Sequence, residues 1–230
     1  MDLPPFQERL LRAVLPACER HGLVLAGGHA VRAHGFTDRP SRDLDLATAG
    51  ETPLAEVADA VAAALREAGL DVSEVEVTPR SGRLLATDPD TGETCEFDLL
   101  REAFQQHPVT RGTIRVLSVE DTIGLKMRAL HERSYARDII DVAAVRHLYS
   151  FRELESLARP HHESFSVHEL ADRLEFADLI ADEEFEAYGL DEEGVRAVRR
   201  FAREWLEDIK LRRADDGDVD YDAEDVPGVD

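Results

Sequence analysis

A change of pattern near residue 118 is the strongest constraint that this sequence places on its fold. Before it, short apolar runs typical of strands alternate with amphipathic helical stretches, whereas after it the apolar spacing is helical only. The 230 residues suffice for one large domain or two small ones with a real apolar core. We therefore predict a mixed α/β (α+β) domain over residues 1–118 and a helical domain over 119–213.

The individual elements follow from apolar spacing and from turn residues. Helices are predicted at 6–20 with a bend at Pro16, from His29 to about Gly35, at 53–68, at 118–132 and at 137–149, and in pieces over 151–212. Strands are predicted at 22–26, 42–48, 71–79, 83–88, 93–100 and 113–118, with 83–88 and 93–100 forming a hairpin.

The charge of the chain excludes some function classes. The formal net charge is -22, and residues 214–230 contain eight acids and no base, which predicts a disordered acidic tail. Such a protein is not expected to coat duplex nucleic acid by charge alone, although the stretch 101–137 is more basic than the rest. The N-terminal residues lack a basic signal-peptide region and no apolar run is long enough to span a membrane, so we expect a cytoplasmic protein.

The glycine pair Gly27–Gly28 lies between a predicted strand and a predicted helix. Two glycines let the backbone approach a ligand closely, and backbone N–H groups at a helix start suit a triphosphate. A tight turn without a function would have the same sequence, so the pair by itself leaves both interpretations open.

The segment "RDLDL" places two carboxylates in an otherwise apolar strand. Side chains alternate between the faces of a strand, so Asp43 and Asp45 point one way while Leu44 and Leu46 point the other. Two carboxylates on one face repel each other unless a cation lies between them. Oxygen ligands at this spacing suit Mg²⁺, while the alternative is an exposed edge strand with its aspartates in water.

A third carboxylate in a second strand strengthens the metal hypothesis. In "CEFDLL", Asp98 and Glu96 share one face, opposite Phe97 and Leu99. We prefer Asp98 because it lies deeper in the apolar run, and Glu96 remains the competing candidate. Three carboxylates from two neighbouring strands can hold two divalent ions, as enzymes that perform in-line phosphoryl displacements do.

Taken together, these motifs resemble the polymerase β-type nucleotidyltransferase superfamily, in which a small-residue pair and a helix precede an Asp-x-Asp strand. More narrowly, "GGHAVRAHGFTDRPSRDLDL" and "LKMRALHERSYARDIIDVAAV" are similar to two segments of the AbiEii/AbiGii toxin family of nucleotidyltransferases. The resemblance implies a polymerase β-like mixed sheet with flanking helices, followed by a C-terminal helical domain.

The resemblance also implies roles for individual residues. Asp43, Asp45 and Asp98 would bind two Mg²⁺ ions, and the glycine pair, Ser41 and Arg42 would bind the nucleotide. Lys126 would contact the nucleotide phosphates, and Asp138, with Asp141 as the second candidate, would orient Lys126 or the nucleotide. The composition supports a special role for Lys126: only two of the 27 basic residues, Lys126 and Lys210, are lysines, and a compact ammonium group suits a phosphate. Alternatively, Lys126 is a surface lysine and the two aspartates favour a helix N-terminus.

The resemblance further implies an enzyme that transfers a nucleoside monophosphate from a nucleoside triphosphate (NTP) to an acceptor hydroxyl. The acceptor would be the 3′ end of tRNA and a cognate antitoxin would be the protein partner, with no membrane involved. Two alternatives stay open: transfer to a small molecule such as an aminoglycoside or to a protein side chain, and a nucleotide-binding module without catalysis.

Overall fold

The computed structural model describes residues 3–215, which form two compact units. Unit 1 comprises residues 3–35 and 41–122, and unit 2 comprises residues 36–40 and 123–215. Most of the predicted acidic tail, residues 216–230, lies outside the described residues.

A seven-stranded mixed sheet forms the centre of unit 1, with the strand order β3-β4-β5-β2-β1-β7-β6. The pairs β2–β5 and β1–β7 are parallel, and the other neighbours are antiparallel. The strands are β1 (Val24–Leu25), β2 (Leu44–Thr48), β3 (Asp71–Val77), β4 (Ser81–Thr87), β5 (Thr94–Arg101), β6 (Val109–Arg111) and β7 (Ile114–Val116).

The apolar core of unit 1 lies between the sheet and two long helices, α1 (Pro5–His21) and α3 (Leu54–Glu67). Alternation along the strands sends every second residue into it: Leu44 and Leu46 of β2 and Phe97 of β5 are fully buried there. Burying a side chain of this size contributes about 1.5–3 kcal/mol, which fixes the register of β2 and β5. A short helix, α2 (Gly27–Ala33), follows β1.

Unit 2 is helical. Trp205 is fully buried, donates a hydrogen bond from Nε1 to Glu155 at 2.9 Å, and stacks on Phe151. Its helices are the part of α4 (Val119–Glu132) after residue 122, α5 (Ala136–Ala143), α6 (Phe151–Ala158), α7 (Val167–Phe176), α8 (Asp182–Glu186) and α9 (Glu192–Asp215).

The predicted fold class is confirmed: a mixed sheet with flanking helices is followed by helices. Individual elements differ. Helix α1 continues through Pro16, α2 begins at Gly27 and not after the glycine pair, α5 ends at Ala143, and β6 was not predicted. Within residues 3–215, no helix combines the length and the apolar character needed to cross a bilayer.

Candidate active site

A row of three charged side chains crosses neighbouring strands of unit 1. Asp45 of β2 is the register partner of Asp98 of β5, and Asp98 is in turn the register partner of Arg83 of β4. Because register partners point to the same side of a sheet, the three side chains share the face opposite the buried leucines. The structure therefore brings together two of the three predicted metal ligands.

The third predicted ligand, Asp43, immediately precedes β2 and is half-buried. It is close enough to Arg83 to help raise the pKa of that guanidinium, although the hydrogen bonds and charge of Asp98 contribute most to the shift. Asp43 thus belongs to the same charged neighbourhood as the row on β2, β5 and β4.

Gly27 lies directly against the Asp45 carboxylate. A Cβ atom added at Gly27 would stand 1.8 Å from Oδ2 of Asp45, and the backbone there has φ +58°, which side chains rarely tolerate. Only glycine therefore allows the start of α2 to approach Asp45 this closely. Gly28, by comparison, is a buried residue of α2 with φ in the ordinary range.

Asp98 is engaged by a two-point ion pair. Arg83 donates from Nε and Nη2 to the two Asp98 oxygens at 2.7 and 2.8 Å, and its Nη1 lies 3.5 Å from Oε2 of Glu96. The side chains of Arg83 and Glu96 are 47% and 44% exposed, whereas that of Asp98 is 19% exposed. Of the two carboxylates on this face of β5, Asp98 is the more enclosed.

The residues of this row fit a divalent cation by their chemistry. Within residues 3–215, no three His, Cys, Asp or Glu side chains converge tightly enough to form a metal-binding group. Asp45 and Asp98 nevertheless offer the oxygen donors that Mg²⁺ prefers, and Asp98 already binds a positive charge, the Arg83 guanidinium. Asp43, Asp45 and Asp98 stay the predicted Mg²⁺ ligands, and two of them, Asp45 and Asp98, are neighbours in the sheet.

The segment before Asp43 is fixed through its backbone. Nε2 of Gln7, a buried residue of α1, donates to the carbonyl oxygens of Ser41 and Arg42 at 3.0 and 2.9 Å. This pair of hydrogen bonds determines where the chain enters β2. It leaves the Ser41 side chain half-buried and that of Arg42 exposed.

Unit 2 contains a buried cluster of two cations and one carboxylate. Lys126 of α4 lies 2.8 Å from Oδ2 of Asp141, and Arg39 donates from Nε and Nη2 to both Asp141 oxygens at 2.6 Å. Burial by itself would raise the pKa of Asp141, but Lys126 and Arg39 outweigh it and hold that pKa below its ordinary value. The cluster keeps one formal positive charge in excess.

The two predicted aspartates of α5 contact different bases. Asp141, not Asp138, contacts Lys126, while the Asp138 oxygens accept from Arg133 at 2.9 and 3.0 Å. Both aspartates are fully buried. Residues three positions apart on one helix share a face, so spacing alone did not separate the partners of Asp138 and Asp141.

Three residues that position these groups, Gln7, Arg39 and Arg83, carry no signal in the sequence. Arginine is the common base of this chain, so nothing in the sequence distinguishes Arg39 or Arg83 from exposed arginines. Gln7 lies in the first turn of α1 and belongs to no motif. Each acts on residues at least 15 positions away, a relation that only the fold creates.

Most of the chain matches one known protein family. The family described as nucleotidyl transferase AbiEii toxin, type IV TA system, matches residues 9–215. No curated protein matches the chain. Two similar solved structures share this fold over most of their length. JHP933 from Helicobacter pylori is 19% identical with a TM-score of 0.55, and the match covers 91% of this chain and 94% of that one. MenT4, a nucleotidyltransferase toxin from Mycobacterium tuberculosis H37Rv, is 16% identical with a TM-score of 0.56, and the match covers 90% of each chain. At these identities the structures show a shared fold.

Proposed function

Because the chain belongs to the AbiEii family of nucleotidyltransferase toxins, we propose that it transfers a nucleoside monophosphate from an NTP to an acceptor hydroxyl, with Asp43, Asp45 and Asp98 as its metal ligands. The observation that supports these ligands best is the register of β2 and β5, which sets Asp45 beside Asp98 with Gly27 against the Asp45 carboxylate. Family membership supports the nucleotidyltransferase activity itself.

The proposed reaction divides its tasks among residues of this chain. Mg²⁺, when bound, would lower the charge of the phosphates and favour the ionised form of the acceptor hydroxyl. Asp43, Asp45 and Asp98 would bind the ion at one face of the sheet, and Gly27 leaves the space beside Asp45 free of a side chain. The acceptor oxygen forms a bond to the α-phosphorus while the bond to pyrophosphate breaks.

Lys126 is proposed to contact the NTP phosphates. Its cluster supports this role by charge: Arg39 and Lys126 together exceed Asp141 by one positive charge, and Arg39 satisfies both Asp141 oxygens. A compact ammonium group in such a cluster suits a phosphate oxygen. Asp141 is proposed to orient Lys126 by its 2.8 Å contact, whereas Asp138 pairs with Arg133.

The acceptor that we propose is the 3′ end of tRNA, with a cognate antitoxin as the protein partner, so that the reaction takes place in the cytoplasm and stops translation. Family membership supports an antitoxin partner, since the members of this family are toxins of toxin–antitoxin systems. MenT4, which shares the fold, is a nucleotidyltransferase toxin.

The test is a transfer assay with each α-³²P-labelled NTP, Mg²⁺ and total RNA, followed by separation of the labelled species. We expect label on tRNA with at least one NTP, and loss of that label in the Asp43→Ala/Asp45→Ala variant. An Asp59→Ala/Asp71→Ala variant is the matched control, because both of these aspartates are exposed in unit 1. The proposal fails if the Asp43→Ala/Asp45→Ala variant labels RNA to the same extent as the wild type.

The same assay separates the alternative acceptors. Parallel reactions contain an aminoglycoside in place of RNA, or a cell extract treated with ribonuclease. Label on the aminoglycoside or on protein, with none on RNA, would retain the nucleotidyltransferase and replace the tRNA acceptor.

A further inference from the structure

Arg83 presents a problem for the proposed metal site, because it occupies the carboxylate that a metal would need. Its guanidinium uses both Asp98 oxygens, at 2.7 and 2.8 Å. An ion such as Mg²⁺ requires an oxygen ligand at about 2.1 Å in octahedral geometry. Each Asp98 oxygen keeps a second lone pair, but a guanidinium and a divalent ion on the same carboxylate repel each other, so the two cations compete for Asp98.

The surroundings of Arg83 provide somewhere for the displaced guanidinium to go. Glu96 lies on the same face of β5, and its Oε2 is already 3.5 Å from Nη1 of Arg83. The Arg83 and Glu96 side chains are 47% and 44% exposed, so both have room to change rotamer. Asp98, at 19% exposure, is fixed in the register of β5 and faces Asp45.

We propose that Arg83 is a positioning residue that occupies Asp98 in the metal-free protein and transfers to Glu96 when a divalent ion binds Asp98. This inference rests on the proposed function, since it takes Asp98 as a metal ligand. Arg83 thereby keeps the carboxylates of β2 and β5 from repelling one another before the ion arrives, and it competes with the ion for Asp98. Glu96 receives the guanidinium and is not itself a ligand.

The experiment measures Mn²⁺ binding to the full chain, by the electron paramagnetic resonance signal of free Mn²⁺ and by calorimetry. Arg83→Gln removes the competitor, and we expect binding to become about three- to tenfold tighter. Arg12→Gln is the matched control: it removes the same charge and breaks an exposed arginine–carboxylate pair on α1, and should leave affinity unchanged. Circular dichroism spectra confirm that each variant is folded.

A double-variant cycle distinguishes competition for Asp98 from general repulsion of cations. If Arg83 acts on Asp98, Arg83→Gln should tighten Mn²⁺ binding in the wild type and change it less than about twofold in an Asp98→Asn background. An equal gain in both backgrounds would show long-range repulsion and overturn the inference.

Glu96 is tested in the same way. Glu96→Gln should weaken Mn²⁺ binding in the wild type, because Arg83 then has no alternative partner, and should have no effect once Arg83 is glutamine. A loss that persists in the Arg83→Gln background would make Glu96 a ligand and overturn its assignment here.

A thermal measurement provides an independent readout. In EDTA, Arg83→Gln should lower Tm, because the carboxylates lose their counter-charge, and Mn²⁺ should raise Tm more in this variant than in the wild type. Equal affinity and equal Mn²⁺-induced Tm shifts in wild type and Arg83→Gln would refute the role of Arg83 while leaving the metal site intact. Absence of Mn²⁺ binding in every protein would instead refute the proposed metal site.

Discussion

Removal of the buried charge of Asp141 should destabilise unit 2 more than any single change to its two partners. Asp141 is fully buried, and the side chains of Arg39 and Lys126 are 4% and 9% exposed. Asp141→Asn keeps the size of the side chain but removes the carboxylate that both buried cations contact. Breaking a buried ion pair in this way costs about 3–5 kcal/mol, equivalent to a fall in Tm of roughly 10 °C in a chain of this length.

Combining Asp141→Asn with a change to one of its cations tests the cluster more sharply than Asp141→Asn alone. Arg39→Gln leaves Lys126 and Asp141 as a neutral pair, so it should cost less, about 1–3 kcal/mol. Because the second change removes one uncompensated cation, the Asp141→Asn/Arg39→Gln variant should be more stable than the sum of the two losses predicts, by at least about 1 kcal/mol.

Urea unfolding followed by tryptophan fluorescence is the appropriate assay, since Trp205 is the single tryptophan of the chain and is buried in unit 2. Asp172→Asn, at an exposed position of α7, is the control for the same chemical change. A loss below about 1 kcal/mol in Asp141→Asn, or strict additivity with Arg39→Gln, would refute the view that this cluster depends on one shared counter-charge.

Three further changes test the close contacts and the buried histidine. Gly27→Ala should abolish nucleotide transfer, because its Cβ would stand 1.8 Å from Asp45 Oδ2, whereas Gly35→Ala, with nothing within 4 Å, should retain activity and show only the cost of its positive φ in a thermal melt. Gly124→Ala should cost about 1–3 kcal/mol in urea unfolding, because its Cβ would lie 2.5 Å from the Leu157 carbonyl oxygen. Gly194→Ala on α9 should cost less, because its Cβ would meet side-chain atoms of Leu190 and Asp191 at 3.2–3.3 Å and not a backbone oxygen at 2.5 Å. Burial, then the nearby His162, lowers the pKa of His131 below its ordinary value of 6.5, so unfolding free energy should fall as pH drops below about 6.5 towards that lowered pKa, and His131→Gln should reduce this slope.

Local sequence signals predicted most of unit 1. Helix α3 matches its predicted span to within one residue, since Pro53 and Gly69 mark its ends and its apolar spacing is regular. The Ser118 cap of α4 is also present: its hydroxyl accepts from the Asp121 backbone N–H at 2.9 Å. These features depend on residues within a few positions of one another, which a sequence displays directly.

Elements that depend on tertiary pairing were predicted less well. Strand β6, of three residues, exists through its antiparallel pairing with β7 and has no apolar alternation of its own. Helix α2 begins at Gly27, whose backbone lies against Asp45, a contact between residues 18 positions apart that the sequence does not display locally. The order of β2 next to β5, with β1 on the other side, likewise follows from packing on α1 and α3.

By itself, the sequence determined which side chains share a face. The alternation of "RDLDL" and "CEFDLL" assigned the leucines and Phe97 to the core and the aspartates to the opposite face, because a strand has a period of two and burial of leucine fixes its direction. Only the tertiary structure decided the partner of each charge. The register of β4, β5 and β2 gives Asp98 to Arg83 and sets it beside Asp45, and the segment 36–40 brings Arg39 to Asp141. Ion pairs depend on distance in space, and for residues far apart in the chain that distance is set by the fold.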